Sequence, residues 1–212
     1  MKISLAYAAV LIYGPADKLQ EEVMSIITDS RKAEEGCLFV PIVGERVDAH
    51  KFIPQVMEAG ALATLSERVL DNADFPYIAV ESSLQAVKDI AEFYLKQLQI
   101  PVVGITGSVG KTTTREMIST VLASQKKVFQ TIGNQNSQIG VPLTLSHLTR
   151  EDEIAVLEIG MSERGQIEKL TNMIRPNVAV VTMIGVSHIA QLKTQENTCL
   201  EKMDIVKGLP ED

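Results

Sequence analysis

The chain has 212 residues, enough for one large domain or two small ones. Hydrophobic residues make up 45% and charged residues 22%, an ordinary globular balance, and a net charge of -7 offers no basic face to nucleic acid. No apolar run reaches the length of a membrane span. Two widely spaced cysteines, Cys37 and Cys199, match no metal-ligand pattern and suit a reducing cytoplasm.

The opening "MKISLAYAAVLIYG" imitates a secretion signal, but its apolar run is short and the acidic "ADKLQEE" follows it. Ser4 as N-cap and Gly14 as terminator predict a short buried helix there. Up to about residue 81, short apolar runs ("SIITDS", "CLFVPIV", "ALATLSE", "YIAVE") alternate with turns and one helix, "HKFIPQVMEAG", where Gly60 sits at a C-cap position. Residues 1–81 therefore read as a small α/β domain. A long amphipathic helix, "SSLQAVKDIAEFYLKQLQ", spans 82–100, with Ser82 and Gln85 spaced as a capping box and Pro101 ending it.

From 101 to 212 the rhythm changes. "VVGIT", "KVFQT", "IAVLEIG" and "VAVVTMIG" are nearly continuous Val/Ile-rich runs, apolar on both faces as strands of a covered parallel sheet are. Helical stretches "KTTTREMISTVLAS", "GVPLTLSHL" and "RGQIEKLTNMI" separate them, which predicts βαβ units and a doubly wound, mostly parallel sheet. About four strands are present, below the ~5–6 of an average sheet. A Glu- and Lys-rich helix over roughly 195–207 follows the last of them.

The stretch "VVGITGSVGKTTT" places a glycine-rich turn between a strand and a helix. Gly107 and Gly110 permit backbone conformations in which successive amides face one anion; Lys111 reaches phosphates and Thr112 offers a hydroxyl to Mg²⁺. The longer pattern G-x-x-x-x-G-K-[ST] is not met, because Ile105 stands where its outer glycine belongs. Glu158 ends the "IAVLE" strand. In a parallel sheet that end shares a rim with the phosphate loop, so Glu158 is placed to bind the nucleotide's metal directly or through water; a solvated strand-end acid is the plainer alternative. His188, past the last strand, is a third polar residue at that rim, or a hydrogen-bonded structural histidine. Asn134 and Asn136 in "GNQNSQIGVP" suit recognition of substrate amides, and equally suit Asx turns.

In order, "TGSVGKTTT", "GNQNSQIGVPLTL", "AVLEIGM" and "IGVSHI" resemble the Mur ligases, ATP-dependent amino-acid and peptide ligases of bacterial cell-wall synthesis. The segment "TDSRKAEEGCLFVPIVGERVDAHKFIPQVMEAGA" is similar to the domain with which they hold the UDP end of their precursor. The resemblance implies that Gly107, Ser108, Gly110, Lys111, Thr112 and Thr113 bind ATP. It implies that Thr112 and Glu158 hold one Mg²⁺, and that His188 and a carbamylated Lys202 serve a second, with Lys111, His188 and Lys202 as the catalytic set. Asp29, Ser30 and Arg31 match the "DSR" element near UDP, and Asn134 and Asn136 the substrate-side loop.

The "GNQN…IGVPLTL" form resembles the branch that adds D-alanyl-D-alanine to UDP-N-acetylmuramoyl-tripeptide through an acyl phosphate in the cytoplasm. A non-catalytic precursor-binding module and the sister ligase adding a diamino acid are the alternatives. Ala190 stands where relatives commonly carry glutamate, Lys193 where glycine is common, Ala49 within a usual "DGH", and Val109 for a frequent asparagine. Mur ligases have a longer central domain and a further C-terminal one, so the chain is expected to be an N-terminal portion with little activity alone.

Overall fold

The structure is a computed structural model that describes residues 3–4, 22–44, 46–71, 73–187 and 189–210. It forms two compact units, Met1–Ile90 and Ala91–Asp212. The division falls inside the long helix rather than beside it.

In the first unit, β1 (Ile3–Ser4) pairs antiparallel with β2 (Glu22–Val23). Ser4, expected to cap a helix, therefore lies in a strand, and the rest of that expected helix falls outside the described residues. Four strands form a parallel sheet in sequence order: β3 (Ser25–Ile27), β4 (Cys37–Phe39), β5 (Ala63–Ser66) and β6 (Tyr77–Ala79). Cys37 and Phe39 pack with Ile27, and with Ile53 and Val56 of α1 (Ile53–Glu58), each burial contributing about 2 kcal/mol for a large side chain. Gly60 follows α1 at φ +100°, the left-handed position anticipated for a helix end.

Helix α2 (Ser83–Leu98) buries Val87, Ala91, Tyr94 and Leu95, the i, i+4, i+7, i+8 stripe of its sequence. Its start is half of the anticipated capping box. Gln85 N donates to Ser82 Oγ at 3.3 Å, but the Gln85 side chain reaches forward to Asp89 at 2.7 Å instead of back to the cap. The carboxylate at this helix start comes from elsewhere, Glu67 Oε1 accepting from Ser83 N at 2.6 Å.

The second unit holds a four-stranded, wholly parallel sheet in the order β10-β7-β9-β8: β7 (Val102–Thr106), β8 (Val128–Gln130), β9 (Ile154–Glu158) and β10 (Val178–Val181). The chain leaves β7 through α3 (Lys111–Leu122) to the β8 edge. It returns through α4 (Gly140–Leu145) to β9, and passes through α5 (Gln166–Ile174) to β10 on the far side of β7. That reversal of direction makes the sheet doubly wound. Ile118 and Leu122 of α3 cover Val103, Ile105, Ile154 and Val156. The opposite face is approached so closely that a Cβ on Gly104 would meet Pro176, Ile159 and Ile205 at 3.2 to 3.4 Å. Downstream, α6 (Ile189–Leu192) and α7 (Gln195–Met203) lead into a 3-10 turn over Asp204–Gly208, so the single helix expected over 195–207 tightens in its last turn.

Candidate active site

The phosphate loop leaves β7 at Thr106 and enters α3 at Lys111. Gly110 precedes the helix at φ +87° with no side chain capping it, so the first amides of α3 remain available to an anion. Gly107 is required by space: a Cβ there would lie 1.9 Å from Thr182 Oγ1. The segment after β10 straps the loop. Ser108 N donates to Met183 O at 2.7 Å, Thr182 Oγ1 to Val109 O at 2.7 Å, and Gly185 N to Ser108 Oγ at 2.9 Å. Lys111 Nζ rests on Gly107 O at 2.8 Å, while Thr112 and Thr113 are exposed at the helix start.

Glu158 is 1% exposed, which sets aside the solvated reading. Its position follows from strand parity: Ile154, Val156 and Glu158 alternate onto the face that α3 covers. There Arg115 of α3, itself 5% exposed, brings Nη1 within 3.0 Å of Glu158 Oε1. This is a charge contact without hydrogen-bond alignment, so Oε1 stays buried with accepting capacity unmet. Asn136 Nδ2 donates to the other oxygen at 3.4 Å, and Thr131 Oγ1 accepts from Glu158 N at 2.8 Å. Arg115 Nη1 also donates to Thr131 O at 3.0 Å and Gly133 O at 3.2 Å, and Nη2 pairs with Glu116.

Lys202 of α7 is 2% exposed and no carboxylate pairs with it among the described residues. Burial, then the charge of Lys111, holds its ammonium down to about 8, while Glu201 opposes the shift. Glu201 is otherwise occupied, its two oxygens accepting from Gly165 N at 2.8 Å and Ile167 N at 3.1 Å at the start of α5.

The structure thus brings Lys111 and Lys202 within each other's field, and sets Asn136 on Glu158. His188 lies outside the described residues. Asn134 is exposed, its carbonyl accepting from Asn136 N at 2.8 Å in the turn before α4. In the first unit, Asp29 caps a 3-10 turn over Ser30–Lys32 at the C-terminal end of β3. Arg31 folds back on it with two bonds of 2.9 and 2.7 Å, holding the Asp29 carboxyl down to about 2. Ser30 is half-buried beside this pair.

Sequence reasoning missed Arg115, Glu201 and Thr182. Arg115 had a signal: with Ile118 and Leu122 it falls on the sheet-facing stripe of α3, where a cation needs a buried partner. Glu201 and Thr182 had none, since their partners are backbone groups far away in sequence.

Mg²⁺ is bound through one or two protein oxygens plus substrate phosphates rather than a dedicated cage. The donor set fits that habit: one buried carboxylate with an unmet oxygen, an exposed Thr112 hydroxyl beside the phosphate loop, and no group of three or more His, Cys, Asp or Glu residues among the described residues. Residues 105–212 match the Mur ligase middle domain. The chain is 43% identical over 195 residues to the UDP-N-acetylmuramoyl-tripeptide--D-alanyl-D-alanine ligase of Bacillus subtilis, covering 91% of this chain and 43% of that one. MurF from Acinetobacter baumannii superposes with a TM-score of 0.91 at 33% identity, over 98% of this chain and 46% of that one. MurF from Thermotoga maritima in complex with ADP gives 0.83 at 36% identity, over 90% and 44%. The chain therefore spans less than half the length of the relatives it matches.

Proposed function

Because this chain belongs to the Mur ligase family, we propose that it is the precursor- and nucleotide-binding part of a ligase that adds D-alanyl-D-alanine to UDP-N-acetylmuramoyl-tripeptide. The observation that carries this reading is the placement, at one rim of a parallel sheet, of a strapped glycine loop and a buried carboxylate whose Oε1 has an ion-pair contact but no hydrogen bond. Identity of 43% with a dipeptide-adding relative favours this substrate over that of the diamino-acid branch.

The overall reaction has two steps. The precursor's terminal carboxylate attacks the γ-phosphorus of ATP, giving an acyl phosphate and ADP; the dipeptide amine then attacks the acyl carbon, and phosphate leaves. Neither step needs a protein nucleophile. The chain's work is orientation and charge compensation. Loop amides from Val109 to Thr113 hold the phosphates, Ser108 N being held by Met183 O, and Lys111 transfers its Nζ from the Gly107 carbonyl to them. Thr112 and Glu158 would hold a first Mg²⁺, and His188 with Lys202 a second; when bound, the ions would supply charge neutralisation for the transferred phosphoryl group. Lys202, neutral above about pH 8, can add carbon dioxide at Nζ with loss of a proton, becoming an anion suited to that role. Asp29, Ser30 and Arg31 hold the UDP end of the precursor, Arg31 exchanging its bond to Asp29 for a phosphate. Asn134 and Asn136 face the peptide. The three segments assign 1–81 to the precursor, 82–100 to connection and 101–212 to ATP.

Titrating ATP and Mg²⁺ into the 212-residue chain tests this. Saturable nucleotide binding that Lys111→Met weakens at least tenfold is expected, together with separate saturable binding of the UDP-linked tripeptide. UDP-linked binding with silent ATP binding would favour a non-catalytic module.

A further inference from the structure

We propose that Arg115 is a positioning residue that sets the metal-binding carboxylate and the substrate-side loop with one guanidinium; the proposal rests on the nucleotide and metal reading above and deepens it. Three separate pieces of chain meet on this side chain. Nη1 lies 3.0 Å from Glu158 Oε1 at the end of β9. The same nitrogen holds Thr131 O and Gly133 O, the two carbonyls that open the segment containing Asn134 and Asn136. Arg115 itself belongs to the helix that begins with the phosphate loop, four residues past Lys111.

The loop is tied back to the same carboxylate. Asn136 Nδ2 donates to Glu158 Oε2, Asn136 O accepts from Gly160 N at 2.7 Å, and Gln135 receives Thr144 Oγ1 at 2.9 Å. A Cβ on Gly140 would meet the Gln135 backbone at 2.6 Å, and one on Gly160 the Asn136 Oδ1 at 2.9 Å, so these residues have little room to move. Arg115 contacts Glu158, Glu158 accepts from Asn136, and the backbone from Asn136 back to Gly133 returns to Arg115. A planar guanidinium suits this arrangement because it serves several acceptors in fixed directions without losing its charge. It also gives Glu158 a buried counter-charge while leaving Oε1 poorly aligned, and so available to a second cation. A shift of the guanidinium moves the carboxylate and the two asparagines together.

Two variants of the 212-residue chain, Arg115→Gln and Arg115→Lys, separate this from a packing role. A non-hydrolysable ATP analogue is titrated with and without Mg²⁺, and circular dichroism checks folding. In the parent chain, Mg²⁺ tightens binding at least tenfold. Arg115→Gln keeps metal-free affinity within about threefold and loses at least fivefold of the Mg²⁺ gain; Arg115→Lys recovers more than half of that loss on a logarithmic scale. In the parent chain, side-chain ¹⁵N signals of Arg115 and amide signals of Gln135 and Asn136 shift when Mg²⁺ is added to the analogue-saturated protein, and this decides the matter if Arg115→Gln does not fold.

A parent chain without a Mg²⁺ gain overturns the site reading and this proposal with it. A parent gain that Arg115→Gln retains overturns the proposal alone. Equal loss of metal-free and metal-assisted binding, unrelieved by lysine, assigns Arg115 to packing and overturns it too, as do NMR signals that stay still.

Discussion

Lys202 places an amine at 2% exposure with the charge of Lys111 acting on it, and the ammonium loses its proton near pH 8 instead of 10.5. The unfolded chain holds that proton up to the higher value. Between about pH 8 and 10.5 the unfolded state therefore binds more protons, and this residue's contribution to stability rises with pH; below about 8 the buried charge is a cost in full. A ¹³C-lysine titration is expected to show one Cε resonance moving near pH 8, and Lys111→Gln to move that midpoint upward. In urea melts, Lys202→Met is expected to lose the rise in stability between pH 8 and 10 that the parent shows. Gly107 supplies a sharper case. A methyl group 1.9 Å from Thr182 Oγ1 cannot be accommodated without breaking the strap on Val109 O. Gly107→Ala is expected to lower stability by about 2 kcal/mol and nucleotide affinity at least tenfold, read by thermal melts and titration.

Helix ends and junctions show what individual elements depend on. The start of α5 has no cap of its own: Gly165 stands there at φ +76°, and Glu201 from α7 takes two of its amides. Glu201→Ala leaves those amides without acceptors and removes an anion from the positive end of a helix, a loss of about 1–2 kcal/mol in urea unfolding. Lys193 is strained in the opposite sense. It joins α6 to the Thr194 cap of α7 at φ +71°, a left-handed position that suits glycine. Lys193→Gly is expected to stabilise the chain by a few tenths to about 1 kcal/mol, the relief of αL strain less the extra entropy of an unfolded glycine. Unchanged or lower stability in the same urea series would refute the assignment.

Across the whole molecule there are two compact units, each with a four-stranded parallel sheet, and the groups proposed to bind nucleotide all belong to the second. A nucleotide at 100 times its Kd is expected to stabilise the state that binds it by about 2.7 kcal/mol. Hydrogen exchange should slow at 106–115 and 182–187 while the strands of 25–66 are little changed. Protection spread evenly over both units would contradict the division. Much of this was legible in the sequence, because period and punctuation are local properties. Doubly apolar Val/Ile runs separated by amphipathic helices specify a parallel sheet. Gly107, Gly110 and Lys111 specify a glycine turn between strand and helix, and motif order names the family. Strand parity even places Glu158 on the face that α3 covers. What the sequence does not contain is who meets whom across separations of 34 to 73 positions along the chain. Arg115 on Glu158, Glu201 under α5 and Thr182 under the phosphate loop are each bonds between a side chain and groups brought near only by strand order. Residue type could announce a buried charge, but only the packed sheet decided which partner would satisfy it.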